Sequence, residues 1–223
     1  MKKLLFWMVL IVGIVALIGS CAKKDEETTA TAAADNTTST TSTTKYMSTT
    51  TTASGSITMG DDTLSGVYAS ECLTSASLIA IFVNANVWPS EVKAYGNVFV
   101  VTGSDNISIE LYTFTDTSCS TSSMSYKTVS DNVTVGSASG SNYPVTYNNQ
   151  TQALTVHTTA AETALETLYS NALDFIVGTP IELPVSGSGL KYGLWTLSGT
   201  TWYEASSSSA TPTSAGTVPH VKQ

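Results

Sequence analysis

The sequence contains no arginine, and charged residues make up only 12% of its 223 positions. Seventeen acidic residues outnumber the nine lysines, and Ser, Thr and Asn supply most of the polar character. Such a chain lacks the guanidinium fork that reads phosphates and base edges, and its net charge repels a polyanion. We therefore expect no nucleic-acid partner, and we attribute the acidic charge to solvation of the surface.

Catalytic and metal-binding motifs are also scarce. There are only two histidines: His157 follows an alternating strand pattern and is expected on its solvated face, and His220 is expected in a loosely held tail. The segment 136–140 has Ala138 where a G-x-S-x-G elbow places its nucleophile, and no zinc-type cluster or phosphate loop occurs. We predict a non-enzyme without metal or cofactor. An enzymatic alternative requires His157 within hydrogen-bond reach of a carboxylate and a hydroxyl.

The first twenty residues have the pattern of a secretory signal peptide. Two lysines precede an apolar run, Leu4–Ile18, whose helical rise of about 22 Å is too short for the hydrocarbon core. The run ends in Ile18-Gly19-Ser20-Cys21, which resembles the lipobox of bacterial lipoproteins. We predict cleavage before Cys21 and attachment of acyl chains there, including palmitate, which would hold the protein on a bilayer. The alternative is a signal anchor with an incidental cysteine.

Residues 21–58 are predicted to form a lipidated N-terminus and a disordered tether. Of the residues from Thr28 to Thr58, 19 are Ser or Thr, a composition that cannot offset the entropy of folding. Near its start, Lys23–Glu27 resembles a lysine-plus-acidic tag for export to the cell surface, with a solvated charge cluster as the alternative. We expect a lipid-anchored protein of the cell envelope, placed at the outer membrane on its periplasmic or surface face.

Residues 59–223 are predicted to form one β-rich domain. Short β-branched and aromatic runs alternate with Gly, Asn, Asp and Ser clusters. The run 107–115 has the period of a half-buried strand, with Ile107 on one face and Glu110 on the other. The predicted strands are 64–70, 97–103, 107–115, 125–135, 143–148, 153–158, and a hairpin of 189–197 with 200–205 about Ser198-Gly199.

Two segments carry helical signals. Thr159-Ala160-Ala161-Glu162 has the form of a capping box, and the apolar residues after it recur at helical spacing. Such a helix would cover a sheet or the end of a barrel. The run 77–86 is apolar all round and is predicted as a helix or irregular structure. The predicted fold class is therefore mainly β: an antiparallel barrel, half-barrel or sandwich with one covering helix.

Cys72 and Cys119 are the thiols that remain if Cys21 carries lipid. In an exported protein two such cysteines most simply form a disulfide, and closing that loop would stabilise the fold by roughly 4 kcal/mol. The alternative is two free buried thiols. Gly66-Val67-Tyr68-Ala69-Ser70-Glu71-Cys72 and Tyr112-Thr113-Phe114-Thr115-Asp116-Thr117-Ser118-Cys119 surround them.

These two segments resemble a recurring arrangement, G-x-(W/Y)-x-S-x-C followed by (Y/F)-x-D-x-x-C. The arrangement is found in small bacterial lipoproteins and in the lipocalin-like domain of the adenomatosis-polyposis-coli down-regulated Wnt antagonists. The resemblance covers the region of residues 66–136, and the segment near Trp88 departs from it. It implies a small antiparallel barrel or half-barrel joined by the disulfide, without implying a ligand.

Two functional hypotheses follow for a monomeric domain. The first is a module that binds a small apolar ligand inside the barrel. Its predicted lining consists of the strand aromatics Tyr95, Phe99, Phe114, Tyr147, Trp195 and Trp202. The second is an adhesin-like display protein whose domain contacts extracellular macromolecules. A cavity would favour the first, and a filled core with an exposed aromatic patch would favour the second.

Overall fold

A computed structural model describes residues 45–185 and 189–223. Within these ranges the chain forms eleven strands and two helices. The strands are β1 (Ile57–Met59), β2 (Asp62–Leu64), β3 (Val67–Ala69), β4 (Ala94–Val101), β5 (Ile107–Phe114), β6 (Ser122–Val135), β7 (Asn142–Val156), β8 (Pro180–Leu183), β9 (Leu190–Ser198), β10 (Thr201–Ser207) and β11 (His220–Lys222). The helices are α1 (Ala76–Asn84) and α2 (Thr159–Leu168).

Eight of the strands close into an antiparallel barrel. Their order is β6-β5-β4-β3-β11-β10-β9-β7, and pairing of β7 with β6 completes the ring. Closure pairs both edges of the sheet and so removes the open strand edges that invite aggregation. The fold class is thus confirmed, and among the predicted architectures it is the closed barrel.

Several predicted strands differ from the observed ones. The run 64–70 is interrupted at Ser65-Gly66, which separates β2 from β3, and the runs 143–148 and 153–158 belong to the single strand β7. β7 is 15 residues long and changes partner along one edge: its first half pairs with β9 and its second with β8, while β6 lies along its other edge. The predicted hairpin about Ser198-Gly199 is confirmed as β9 and β10.

The C-terminal tail was expected to be loosely held, and this expectation is wrong. β11 lies between β3 and β10 and completes the barrel. His220 consequently points inward and is only 3% exposed. A three-residue strand lacks a clear local signal, so its conformation depends on the two neighbours that bond to it.

Each end of the barrel is covered. At one end, called the hairpin end, Ile57, Met59 and Leu64 of the β1–β2 hairpin are buried against the interior aromatics. At the other, called the helix end, α1 and α2 pack over Met124 and Val156. The core therefore continues from the interior of the barrel into both caps.

The helix predicted after Thr158 is present, and the run 77–86, for which a helix or irregular structure was expected, forms α1; the predicted cap of α2 needs a correction. α2 begins one residue earlier than the capping box implies, because Thr158 and not Thr159 is the N-cap: the Oγ1 atom of Thr158 accepts a hydrogen bond from Ala161 N at 3.0 Å. Glu162 thus lies in the first turn but does not occupy the box position. Ala161 and Leu165 of α2 are buried, as its apolar spacing predicts.

The segment 45–56, here called the strap, lies on the outer face of β4 and β5. Met47 is 4% exposed and packs directly over Gly96, which has no Cβ to block it. Backbone bonds run from Met47 N to Ser70 O at 3.1 Å and from Ser54 N to Val101 O at 2.9 Å. The prediction that the tether stays disordered as far as Thr58 is wrong for residues 45–58, because apolar Met47 and Ile57 are buried in the domain.

The strap also changes the environment of β5. The strand was predicted to be half-buried, but Ser108 and Glu110 on its outer face are 1% and 3% exposed. Thr51 of the strap donates a hydrogen bond to Glu110 Oε1, and Lys127 lies 3.6 Å from the same oxygen. β5 is therefore covered on both faces, since a distant segment lies over the polar one.

The predicted disulfide between Cys72 and Cys119 is present, with the two Cα atoms 5.9 Å apart. Asp116 shapes the loop that carries Cys119: its carboxylate accepts backbone hydrogen bonds from Ser118 at 2.9 Å and Thr121 at 2.7 Å. Cys119 itself adopts a positive φ of 52°. The aspartate of the D-x-x-C segment thus orders the turn that presents the cysteine.

The predicted signal peptide, Cys21, the Lys23–Glu27 tag and the tether up to residue 44 lie outside the described residues. Within 45–185 and 189–223, no helix is long and apolar enough to cross a membrane. Nor do these ranges contain a group of three or more His, Cys, Asp or Glu side chains placed to hold a metal ion.

Candidate ligand-binding site

The barrel brings four of the six predicted lining residues into one interior cluster: Phe99, Tyr147, Trp195 and Trp202. The other two lie elsewhere. Tyr95 packs against Trp88 at the helix end, with ring centroids 5.3 Å apart, and Phe114 belongs to the outer layer beneath the strap. Phe114 is separated from the cluster because side chains alternate between the two faces of a strand, whereas Tyr95 shares the inner face with Phe99 but lies four residues further toward the helix end.

Trp202 is the centre of the aromatic cluster. Its ring lies 5.0 Å from that of Trp195 and 4.5 Å from that of Phe99, both edge-to-face. Phe99 in turn meets the His220 ring at 4.7 Å. Trp195 and Trp202 are both 0% exposed, so this cluster contributes a large part of the buried apolar surface.

Polar side chains share the interior with these rings. Strand alternation places Trp202, Glu204 and Ser206 of β10 on the inner face, and the β9–β10 register sets Glu204 directly opposite Trp195. Gly193 of β9 lies opposite Ser206. A Cβ at Gly193 would lie 2.5 Å from Val145 Cγ2 and 3.0 Å from Trp195 Nε1, so the absence of a side chain lets both residues pack against the backbone of β9.

Several of these buried polar atoms have no hydrogen-bond partner. They are Nε1 of Trp195, Nε1 of Trp202, Oε1 of Glu204, and both ring nitrogens of His220. Almost all buried polar groups in folded proteins are paired with protein atoms or water, and each unpaired one costs about 1–3 kcal/mol. Five such atoms on the interior side chains of three adjacent strands therefore need a common explanation.

Among these unpaired groups, the carboxyl group of Glu204 has the largest free-energy cost of burial, because it can carry a charge. The residue as a whole is half-buried, but Oε1 is shielded from water. Burial raises the pKa of Glu204 to about 7, and a hydrogen bond with Ser206 only partly opposes this. Burial, followed by the nearby charge of Glu204, raises the pKa of Tyr147 well above its ordinary value. Tyr147 and Glu204 are therefore close enough to interact electrostatically.

His220 is held neutral in the same interior. Burial lowers its pKa to about 4, and the adjacent Trp202 backbone only partly opposes this. At neutral pH the imidazole can donate from one nitrogen and accept at the other. It provides no cation for Glu204, whose carboxylate is left without a counter-ion among the described residues.

Further polar residues line the barrel toward the helix end. The strand register sets Thr128 of β6 opposite Gln152 of β7, and both are buried. Lys191 at the start of β9 is opposite Tyr147, and burial lowers the pKa of its amine. Lys191 forms no ion pair with a carboxylate of the described residues. The interior is therefore mixed aromatic and polar, and not a purely apolar barrel.

The other histidine lies outside this site. His157 is half-buried, not freely solvated as predicted, and its Nε2 is 2.9 Å from Ser125 Oγ on the outer face of the barrel. Burial lowers the pKa of His157. The nearby carboxylate of Glu91 instead accepts hydrogen bonds from Ser123 Oγ at 2.6 Å and from Thr158 Oγ1. Of the two contacts that the enzymatic alternative requires, the structure places the hydroxyl and gives His157 no carboxylate partner among the described residues.

The lining of the ligand site predicted from the sequence did not include Glu204, Ser206, Lys191 or His220. One signal was available for two of them: in Trp202-Tyr203-Glu204-Ala205-Ser206, a glutamate and a serine alternate in phase with a tryptophan expected to point inward. Lys191 and His220 offered no such signal, because their facing depends on the partners of β9 and β11.

No protein-family model matches this chain, and no curated protein matches it either. The site therefore has to be interpreted from its own chemistry.

Proposed function

We propose that this protein is a lipid-anchored protein of the cell envelope whose β-barrel binds a small ligand and does not catalyse a reaction. The observation that carries the binding role is the set of unpartnered polar atoms inside a closed barrel. Eight-stranded barrels have an interior of a size that side chains fill or that holds one small ligand. Here the interior side chains leave donors and acceptors unused, which a bound molecule would satisfy.

The composition of the interior modifies the ligand predicted from the sequence. A purely apolar molecule would leave the indole N–H groups and the Glu204 carboxyl unpaired, so it would gain contact area without relieving their cost. Small-molecule sites usually combine aromatic walls with a few polar groups that fix orientation. The barrel offers this combination, so the ligand we propose is small and carries polar groups of its own.

The proposal of a membrane anchor rests on the Ile18-Gly19-Ser20-Cys21 sequence. Lys45, the first described residue, donates hydrogen bonds from Nζ to the carbonyl oxygens of Ser118 and Cys119. The described chain thus begins beside the disulfide. A tether from Cys21 would attach at that point of the barrel, leaving the interior site on the far side of the β4–β5 wall.

The binding role can be tested with the full chain purified in detergent. We expect a diverse library of small polar and aromatic compounds to contain members that raise the unfolding temperature and quench tryptophan fluorescence, since ligands that bind only the folded state stabilise it. Thr128→Leu, which replaces an interior hydroxyl, should weaken such binding, whereas Thr163→Leu on the exposed side of α2 should not. If no compound binds, or if both variants behave alike, the binding role is wrong.

The anchor and location need a separate measurement. Mass spectrometry of the N-terminal peptide should find acyl chains on Cys21, and protease treatment of intact cells should reveal whether the domain is outside. An unmodified Cys21 would contradict the anchor without affecting the barrel.

A further inference from the structure

We propose that the ligand is a small organic ammonium compound that also carries a hydrogen-bond acceptor, seated against Glu204 within the aromatic cluster of the barrel. This inference rests on the proposed binding function and names the class of ligand. Two independent features carry it: a buried acceptor without a cation, and buried donors without an acceptor.

The acceptor is the Glu204 carboxyl group. Oε1 is buried without a partner, and no lysine, histidine or other cation among the described residues forms an ion pair with Glu204. A buried carboxylate is tolerated when it is paired, and its natural complement is a positively charged donor. Because His220 is neutral and Lys191 forms no ion pair with Glu204, the chain leaves this role to a bound molecule.

The surroundings of Glu204 favour an organic cation over a metal ion. Trp195 lies directly across from it in the β9–β10 register, Trp202 precedes it on the same face, and Tyr147 is near enough to feel its charge. Aromatic faces attract ammonium groups and exclude the water or oxygen ligands that a hard metal ion requires. One carboxylate among three aromatic rings is the chemistry of an ammonium site.

The donors require a second group on the ligand. Nε1 of Trp195 and Nε1 of Trp202 can only donate, and both are buried without an acceptor. The two rings are 5.0 Å apart, so one ligand can reach both. A hydroxyl or carboxylate oxygen a few bonds from the ammonium would accept from these groups. Amino alcohols and zwitterions have this arrangement.

The test compares ammonium compounds with neutral molecules of the same shape. Choline is paired with 3,3-dimethylbutan-1-ol, and tyramine with 4-hydroxyphenethyl alcohol, and binding to the full chain in detergent is followed by calorimetry and tryptophan fluorescence. We expect at least one of the cations to bind about tenfold more tightly than its neutral partner at pH 8. Choline would gain from charge pairing with Glu204 and from the aromatic rings, and tyramine could add a charge-assisted hydrogen bond from its primary ammonium group. Potassium chloride at the same concentration serves as the control for ionic strength.

Two glutamine variants identify the residue responsible. Glu204→Gln should reduce the preference for the cation to less than about twofold, while Glu182→Gln, an exposed glutamate on β8, should leave it unchanged. Trp195→Phe keeps an aromatic face and removes the N–H, so it should weaken binding of choline more than binding of tetramethylammonium, which has no acceptor.

The pH dependence of ligand affinity distinguishes a binding role of Glu204 from a purely structural one. Affinity for the cation should rise as the pH increases through about 7 and level off above it, because the cation binds the ionised form of Glu204. The inner face carries further titratable side chains: Lys191, His220, and the tyrosines Tyr68, Tyr95, Tyr126, Tyr143 and Tyr147. Lys191→Met should retain this pH profile, and Glu204→Gln should abolish it.

The outcomes separate this inference from the function on which it rests. If neutral compounds bind as well as the cations, or if Glu204→Gln keeps the preference, the ammonium site is wrong while the binding role stands. If neither the probes nor the wider library bind, both are wrong, and the unpaired atoms are then met by buried water alone.

Discussion

Glu110 and Glu204 are both withdrawn from water, yet they lie in opposite environments. Burial acts to raise the pKa of Glu110, but three hydroxyl donors and the charge of Lys127 outweigh it, so its pKa is below the ordinary value. These donors are Thr49, Thr51 and Tyr112, and Ser108 Oγ also donates to Glu110 Oε1, at 3.3 Å. Glu204 has a single weak partner, and its pKa is raised to about 7. The comparison shows that partners, and not burial alone, decide whether a carboxylate is stable inside this protein.

The two environments also suggest different roles. Around Glu110 the hydrogen bonds join the strap to β5 and β6, with Tyr112 Oη donating to Oε2 at 2.5 Å, and no partner is left for a ligand to provide. Around Glu204 only Ser206 provides a hydrogen bond, and Oε1 has no partner. A satisfied polar cluster stabilises a fold, whereas an unsatisfied one is a candidate for binding.

The largest expected effect comes from breaking the satisfied cluster. Glu110→Ala should lower the free energy of unfolding by about 4 kcal/mol at pH 7, because the hydroxyl donors around Glu110 lose their acceptor at about 1 kcal/mol each and packing is lost as well. Urea unfolding measures this loss. Limited proteolysis should also show faster cleavage within residues 45–56. Unchanged proteolysis would mean that the strap does not depend on Glu110.

Removing the charge of Glu204 should instead increase the free energy of unfolding. The folded-state pKa of about 7 exceeds the ordinary 4.5, so the folded protein holds the proton more tightly, and its stability falls as the pH rises from about 4.5 through 7. Glu204→Gln should therefore raise the free energy of unfolding by about 3 kcal/mol at pH 8 and change it little at pH 4. Urea unfolding of Glu182→Gln at both pH values is the control. A loss of stability at pH 8 would show that the carboxylate has a partner after all.

His220 gives stability a pH dependence of its own, which can be measured on the acidic side of neutrality. Its folded-state pKa of about 4 is below the ordinary 6.5, so its contribution is present above pH 6.5 and is lost as the pH falls toward 4. This trend opposes that of Glu204, and the two nearly cancel in the unmodified protein. In the Glu204→Gln background, adding His220→Phe should reduce the stability lost between pH 7.5 and pH 5 by about 2 kcal/mol. Equal slopes with and without the histidine would contradict its burial.

The smallest effect is expected at Lys127. Its amine is 3.6 Å from Glu110 Oε1, but its side chain is 43% exposed and water screens the charge. Lys127→Met should cost only about 0.5 kcal/mol at low salt and less in 1 M salt. Urea unfolding at two salt concentrations checks this. A cost that does not depend on salt would point to the hydrogen bond from Lys127 Nζ to Thr51 Oγ1, at 2.6 Å, as the larger contribution.

Much of the fold could be predicted from local patterns. The β9–β10 hairpin, the α2 helix and the Cys72–Cys119 disulfide follow from turn residues, helical spacing and the number of cysteines, and the structure confirms each. The errors fall where a distant segment decides the outcome. The strap covers Glu110 from 59 residues away in the sequence, and β11 joins β3 from the far end of the chain.

The candidate site follows the same division. The sequence suggested six aromatics, of which four meet inside the barrel, while Tyr95 lies further toward the helix end and Phe114 lies on the outer face. The sequence could not indicate that Glu204 would be buried without a cation. That outcome depends on which side chains the other strands of the barrel bring near Glu204.

The sequence by itself thus determined the mainly β class, the helix and hairpin positions and the pairing of Cys72 with Cys119, because these depend on short-range periodicity, turn chemistry and cysteine number. Only the tertiary structure decided that the barrel closes through β11, that the strap satisfies Glu110, and that Glu204 is buried without a cation. These outcomes depend on hydrogen-bond partners brought from distant parts of the chain. A glutamate is the same residue in both places, and its environment makes one a structural support and the other a candidate binding group.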